Sequence, residues 1–272
     1  MPVHDDLGKR MKEFYEQVPK TRLVRRMPVM IRIDGKAFHT FTRGFQKPFD
    51  DILIKSMQET MKYLCENIQG CVFGYTQSDE ITLVLVDYKK LTSSAWFDYE
   101  VQKMCSISAS MATMIFNKIF SNNVHIEILD YKSSMVPQSM EFQQKIMKYH
   151  EALTNAIAKG AMFDSRCFNV PKEEVTNFVY WRQLDATRNS IQMVGQANFS
   201  HKQLQGKSCN MIQDMLFTEK GINWNDLPVV KKRGSACIKD SKGHWFIDEN
   251  MPILKTTDEE DYRCYVDKLI DF

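Results

Sequence analysis

The sequence predicts a mixed fold, α/β of the α+β kind, with a ferredoxin-like core. Three observations predict it. Val29-Met30-Ile31-Arg32-Ile33 is a short apolar run that stops at Asp34-Gly35. Val72-Phe73-Gly74-Tyr75 and Ile81-Thr82-Leu83-Val84-Leu85-Val86 flank a Ser78-Asp79-Glu80 turn, as two antiparallel strands do. Helix-period segments alternate with these runs, giving the order strand, helix, strand, strand, helix, strand.

Taken in order, residues 7–20 read as a short amphipathic helix, with Leu7, Met11 and Tyr15 spaced by four. The first strand covers 28–33. Phe38 to Pro48 reads as a loop, broken by Gly44 and Pro48. Asp50 or Asp51 caps the next helix, whose face is Leu53, Met57, Met61, Leu64 and Ile68. Strands at 71–76 and 80–87 follow. Residues 97–120 predict a long helix with Met104, Ile107, Met111, Met114 and Ile115 on one face. The weak alternation of Val124-His125-Ile126-Glu127-Ile128-Leu129 predicts an added strand, residues 137–159 a polar helix, and 161–166 a further strand. These elements place a ferredoxin-like domain over 1–168, its core from about residue 25. The remainder, 169–272, predicts a helical and β-hairpin region packed on it. Pro171-Lys172-Glu173-Glu174 has a helix-start composition, and that helix runs to about Asn198. A second covers 207–219, and Pro228–Lys239 with 244–247 reads as a hairpin about Asp240-Ser241-Lys242-Gly243.

Size and charge bound the function. A chain of 272 residues has ample material for a core. No apolar run approaches the roughly 18–20 residues of a membrane span, and the polar, acidic start Met1–Asp6 does not read as a signal peptide. A cytoplasmic protein with no membrane partner is expected. The seven cysteines contain no Cys-x-x-Cys pair, and the six histidines no His-x-x-x-His pair, which argues against a disulfide framework and against zinc. Net charge is only +2, yet residues 1–50 hold eleven Lys or Arg against six Asp or Glu, and 247–272 hold three against eight. That asymmetry, with Lys231-Lys232-Arg233, fits nucleotide or RNA contacts.

The chemistry points to Asp34 and Asp79. If their strands neighbour each other, two carboxylates meet at one sheet end. Such a pair suits Mg²⁺, which keeps waters and takes other ligands from substrate phosphates. Two ions roughly 3.5–4 Å apart serve phosphoryl transfer by neutralising charge and aligning the attack. Gly35 permits a sharp turn and close phosphate approach. Lys36-Ala37-Phe38-His39 offers successive N–H groups to a triphosphate. On composition alone, both acidic points also fit ordinary turns.

Arg32-Ile33-Asp34-Gly35-Lys36-Ala37-Phe38-His39, then Lys47-Pro48, then Tyr75-Thr76-Gln77-Ser78-Asp79-Glu80 resemble the motifs of the tRNA(His) guanylyltransferase family and its Thg1-like relatives. Phe163-Asp164-Ser165-Arg166, Tyr180-Trp181-Arg182-Gln183 and Lys232-Arg233-Gly234 resemble its later motifs in the same order. The resemblance implies a polymerase-palm domain working in the 3′-to-5′ direction. It implies a nucleotidyltransferase adding nucleotides to the 5′ end of tRNA, with ATP, GTP and other NTPs as substrates, two Mg²⁺ ions, and a homotetramer. Carried over by position, Asp34 and Asp79 match metal carboxylates, with the Gly35 carbonyl as a further ligand. Glu80 matches an adjacent acid needed for activity. Asp34, Gly35, Lys36, Ala37, Phe38, His39, Ser78 and Asp79 match the nucleotide cradle, and Lys47 a phosphate contact. His39 serves either a phosphate or its own loop.

One departure bears on substrate choice. The eukaryotic branch carries a His-Ile-Asn-Asn-Leu-Tyr-Asn motif soon after Trp-Arg-Gln, where this chain reads Asp185-Ala186-Thr187-Arg188-Asn189-Ser190-Ile191-Gln192. The missing histidine favours template-dependent repair of 5′-truncated tRNA over non-templated addition of one G to tRNA(His). Rival readings are a nucleotide cyclase of similar palm layout and a catalytically silent tRNA-binding protein. Gly206-Lys207-Ser208 is no P-loop, since position 201 is His201 and no apolar strand precedes it. Trp181 reads as a packing anchor rather than a base-stacking platform. Arg182, Arg188, Lys231, Lys232 and Arg233 are candidate tRNA phosphate contacts.

Overall fold

In a computed structural model of the chain, the structure describes residues 5–133, 139–255 and 262–271. Helix α1 (Asp6–Met11) continues as a π-helical turn over Lys12–Glu16. Its predicted apolar face is not buried: Leu7, Met11 and Tyr15 are all exposed. Strand β1 (Val29–Gly35) leads to a helical turn, α2 (Phe38–Phe41), where a plain loop was expected. The turn forms because Phe38 and Phe41 are pulled into the core, their ring centroids 5.0 Å apart. Helix α3 (Asp51–Asn67) is capped by Asp50, whose carboxylate accepts the Leu53 N–H at 3.0 Å and the Tyr149 hydroxyl at 2.9 Å.

Strands β2 (Cys71–Gln77) and β3 (Glu80–Leu85) form the expected hairpin. Helix α4 then runs from Val101 to Ser133 without a break, so the strand expected over 124–129 does not exist. Val124 instead continues the i, i+4 series Phe116, Phe120, Val124, all buried. The face of α4 also differs from expectation. Met104, Ser108, Ala112 and Phe116 turn inward, while Ile107 and Met114 are exposed. Small residues let the helix approach the sheet closely: Ser108 Oγ lies 2.7 Å from Ser165 Oγ of the next strand. Helix α5 (Met140–Lys159) leads to strand β4 (Phe163–Asn169). Helices α6 (Lys172–Asn198), α7 (His201–Leu204) and α8 (Cys209–Lys220) follow. The hairpin expected from Pro228 begins later. Val229–Arg233 is a short helix, α9, started by Pro228, and only Ser235–Lys239 (β5) and Trp245–Asp248 (β6) pair. Helix α10 (Cys264–Ile270) ends the chain's ordered elements.

One antiparallel sheet has the order β4-β1-β3-β2-β5-β6. Its first four strands carry the ferredoxin-like arrangement, and β5 and β6 extend it past β2. The period-two alternation decides which residues face which layer. Ile31, Ile33, Ile81 and Leu83 face α3 and α4, burying Met57, Met61, Leu64 and Phe116. Each such side chain contributes roughly 1.5–3 kcal/mol. Met30, Phe73, Tyr75 and Val84 face the other way, against Val175 and Val179 of α6 and Val266 and Ile270 of α10. A third cluster joins α6 to α8 through Ile191, Val194, Ile212 and Leu216. Among the described residues no helix is long and apolar enough to cross a membrane.

Candidate active site

Asp34 sits at the end of β1, opposite Glu80 of β3 on one side and Asp164 of β4 on the other. The β2–β3 turn brings Asp79 beside it. The Gly35 N–H donates to the Asp79 carbonyl at 3.0 Å, and the Lys36 N–H to the Met162 carbonyl at 2.8 Å. Only glycine fits at 35: a Cβ there would lie 2.3 Å from the Phe38 ring and 2.9 Å from Asp79 Cβ. The glycine thus brings the two acidic strand ends together. Ser78, held at φ +51°, donates its hydroxyl to Asp79 Oδ1 at 3.0 Å.

Burial pushes the Asp79 carboxyl above the ordinary carboxylate range. The Ser78 hydroxyl opposes that shift, and the neighbouring charges of Asp34 and Glu80 reinforce it. A half-buried carboxylate repelled by a second one favours a cation between them. Among the described residues no three His, Cys, Asp or Glu side chains converge on one point. Two carboxylates and a nearby backbone carbonyl therefore fit a hard ion such as Mg²⁺, which completes its shell with water and phosphate oxygens, better than a closed zinc cage.

Glu80 adjoins Asp79 in sequence but is held quite differently. Its buried carboxylate meets Arg32 Nη2 at 2.7 Å, and Arg182 at 2.8 Å through Nε and 3.0 Å through Nη2. Asp185 holds Arg182 from the far side at 2.7 Å and also pairs with Arg188. Arg32, Glu80, Arg182 and Asp185 thereby tie β1, β3 and α6 together beside Asp34 and Asp79. Arg182 is only 4% exposed, so its guanidinium is occupied inside the protein rather than at an RNA-facing surface. Arg188 is exposed.

The remaining sequence-predicted residues fall into two groups. Ala37, in the left-handed region at φ +55°, starts the α2 turn. The N–H groups of Ala37, Phe38 and His39 have no acceptor within that turn, whereas those of Gly35 and Lys36 are already taken up. The Phe38 side chain is core, while Lys36, His39 and Lys47 are exposed. On the other side of Ser78 a cavity of about 560 Å³ opens between α3, α6 and α9, lined by Phe49, Leu53, Ser78, Asn189, Met193, Lys231 and Arg233. Lys231 pairs with Asp51 at 2.7 Å, and Lys232 Nζ donates to the Asn225 carbonyl at 2.6 Å. Burial lowers the affinity of Arg233 for its proton, and its carbonyl accepts the Tyr75 hydroxyl at 2.7 Å. Gly234, at φ +79°, lies so near the Thr76 carbonyl that a Cβ would approach it to 2.3 Å. That contact seats the basic run on the edge of β2.

Sequence reasoning missed the clamp on Glu80 and this cavity. A signal for the clamp existed: Arg32 is a charged residue inside an otherwise apolar strand, which demands a buried partner. Trp181, read as a packing anchor, packs on Phe178 and Arg182 but is 50% exposed.

Comparisons with known proteins agree with this geometry. The family described as tRNAHis guanylyltransferase matches residues 8–171. The probable tRNA(His) guanylyltransferase of Dictyostelium discoideum is 26% identical over 231 residues, 80% of this chain and 77% of that protein. A bacterial tRNA(His) guanylyltransferase (Thg1)-like protein in complex with ATP superposes with a TM-score of 0.79 at 42% identity, over 98% of this chain and 100% of the other. A second bacterial Thg1-like structure, in complex with GTP, gives 0.70 at 36% identity over the same shares. A sheet with two acidic strand ends and these similarities lead to one assignment: the chain belongs to the tRNAHis guanylyltransferase family and is a guanylyltransferase-like nucleotidyltransferase.

Proposed function

We propose that this enzyme extends the 5′ end of tRNA in the 3′-to-5′ direction, repairing 5′-truncated molecules against the opposing strand. The observation that carries the reading is the joining of Asp34 and Asp79 through Gly35, next to a cavity edged by Lys231 and Arg233. That bacterial relatives form complexes with ATP and with GTP supports nucleotide binding by this chain. The absence of the histidine motif at 185–192 supports the templated branch.

The reaction has two displacements. An oxygen of the RNA 5′-monophosphate attacks the α-phosphorus of ATP, and pyrophosphate leaves. The 3′-hydroxyl of an incoming NTP then attacks the activated 5′-phosphorus, and AMP leaves. Mg²⁺, when bound, would supply positive charge to the phosphates. Asp34, Asp79 and the Gly35 carbonyl would hold it. The Ala37–His39 N–H groups and Lys47 orient the triphosphate, and Ser78 fixes the Asp79 carboxylate. Phe49, Leu53 and Met193 offer apolar surface to a base. Glu80 carries no proton in this scheme. With Arg32 and Arg182 it holds the turn that presents Asp79.

The test uses labelled tRNA lacking its first 5′ nucleotide, with each NTP in turn. Extension should exceed that of intact tRNA(His). Changing the opposing base from C to A, G or U should switch the preferred NTP from GTP to UTP, CTP or ATP. G addition regardless of that base would return the chain to the non-templated activity. Cyclic nucleotide as the product would make it a cyclase, and unchanged RNA a binding protein.

A further inference from the structure

Helix α6 carries a second feature that the reaction scheme does not use. Trp181 projects from α6 with half of its ring in solvent. The ring is fixed from beneath: Phe178 meets it edge-on with centroids 5.4 Å apart, and the Arg182 guanidinium lies 4.4 Å from its centroid. Phe178 in turn rests on Phe168 of β4 at 5.5 Å. The platform is therefore rigid on its protein side and open on the other. It is also near the chemistry. Arg32 lies 6.0 Å from the ring centroid and shares a strand face with Asp34, two residues on. Arg166 of β4 stands opposite Arg32, and its exposed guanidinium meets Asp164, which itself stands opposite Asp34. Asp164, and at longer range Asp34 and Glu80, strengthen Arg166's hold on its proton.

An exposed indole costs free energy unless something covers it. Its neighbours decide what fits. The exposed guanidinium of Arg166, opposite Arg32 on the neighbouring strand, offers a cation to a polyanion and disfavours an apolar protein helix. An enzyme that works on the end of a base-paired stem must meet one flat surface that no other substrate offers, the outer face of the terminal base pair. Aromatic side chains are the usual partners of unstacked base faces in RNA recognition. We infer that Trp181 is the stacking platform for the terminal base pair of the acceptor stem, with Arg166 exchanging Asp164 for the adjoining phosphate. This rests on the 5′-extension reading and deepens it.

The experiment binds an acceptor-stem minihelix carrying 2-aminopurine in its terminal pair to the full chain with Mg²⁺ and no NTP. The wild type should quench the probe. Trp181→Ala should weaken binding by roughly 5- to 100-fold, the range that removal of a base–aromatic stack implies, and should abolish most of the quenching. Trp181→Leu keeps apolar contact with Phe178 but has no π-face, so it should behave like the alanine variant even if that variant folds poorly. Trp181→Phe should retain most of the affinity. All three should bind a fluorescent ATP analogue as the wild type does. Arg166→Ala should reduce the log–log salt slope of minihelix binding by roughly 0.7–0.9. Unchanged minihelix affinity and quenching in Trp181→Leu would overturn the platform. If that variant also extends RNA normally, the platform falls and the 5′-extension reading stands. If the wild type stacks the minihelix but extends no RNA, the extension reading falls and the platform stands.

Discussion

Substituting Glu80 by Gln isolates what the buried clamp contributes. The change keeps the shape of the side chain and removes its charge. Glu80 is 5% exposed and receives Arg32 at 2.7 Å and Arg182 at 2.8 and 3.0 Å. Removing one member of a buried ion pair costs about 3–5 kcal/mol, because the partner's charge stays desolvated. Arg182 keeps Asp185 at 2.7 Å, but no ion pair of Arg32 besides that with Glu80 is found among the described residues. The upper half of that range is therefore expected. A chain of this size loses roughly 2–4 °C of melting temperature per kcal/mol, so Tm should fall by about 8–20 °C in differential scanning calorimetry. Arg182→Met should cost less, roughly 1.5–3 kcal/mol for a charged hydrogen-bonded partner, since Glu80 retains Arg32. The double variant should be less destabilised than the sum of the singles by about 1–3 kcal/mol. Steady-state addition to truncated tRNA should show kcat down roughly 10²-fold in Glu80→Gln, the effect of moving Asp79 by about 1 Å. A Tm within about 2 °C of wild type, well below the shift expected from that slope, or additive single effects, would refute the clamp.

Asp34→Asn and Asp79→Asn should each abolish both activation and addition, read by release of pyrophosphate and of AMP, while circular dichroism stays native; near-normal rates at saturating Mg²⁺ would contradict the two-carboxylate site. The raised pKa of Asp79 also sets a sign. The folded state holds its proton more tightly than the unfolded chain, whose reference value is 3.8. The stabilising contribution is thus complete below that value and disappears as pH rises through the folded pKa. In EDTA the wild-type Tm should fall over that window, Asp79→Asn should flatten the fall and raise Tm at neutral pH, and Mg²⁺ should raise Tm in the wild type only. Replacing Lys231, Lys232 and Arg233 by Ala should lower the salt slope of tRNA binding by roughly 0.7–0.9 for each phosphate that is no longer neutralised. Lys232 already donates to Asn225 and Lys231 pairs with Asp51, so an unchanged slope would assign the run to packing of α9.

The sequence carried the core of the fold where side-chain period and turn chemistry agreed. The apolar runs of β1 and β3, the cap at Asp50 and the three- and four-residue spacing of α3 all appear in the structure as read. The reading failed where two periods overlapped. Val124, Ile126 and Ile128 alternate like a strand, but Phe116, Phe120 and Val124 continue a helix, and the buried end of α4 decides between them. It also failed where small residues face the core, as Ser108 and Ala112 do, because hydrophobic periodicity gives them no weight. In the site, Asp34 and Asp79 could be found because each ends a strand. The Glu80–Arg182 pair joins residues 102 apart in sequence, and no local pattern announces such a contact. Trp181 is only half buried, a degree of exposure that its place on a helix does not announce.

The position of β5 has a consequence for how the protein is made. The edge of β2 is closed by Ser235–Cys237, and the second face of the sheet is sealed by Val266 and Ile270, with the Tyr88 hydroxyl donating to the Ile270 carbonyl at 2.9 Å. During synthesis at about 5–20 residues per second, all of β1 to β4 leaves the ribosome many seconds before these partners exist. The nascent sheet must therefore wait with the outer edge of Gly74–Thr76 unpaired and Met30, Phe73 and Val84 covered only in part, by Val175 and Val179 of α6. Such an edge invites pairing with another chain. Cells making this enzyme should accordingly show chaperone occupancy that begins after residue 85 emerges and ends only with the last helix.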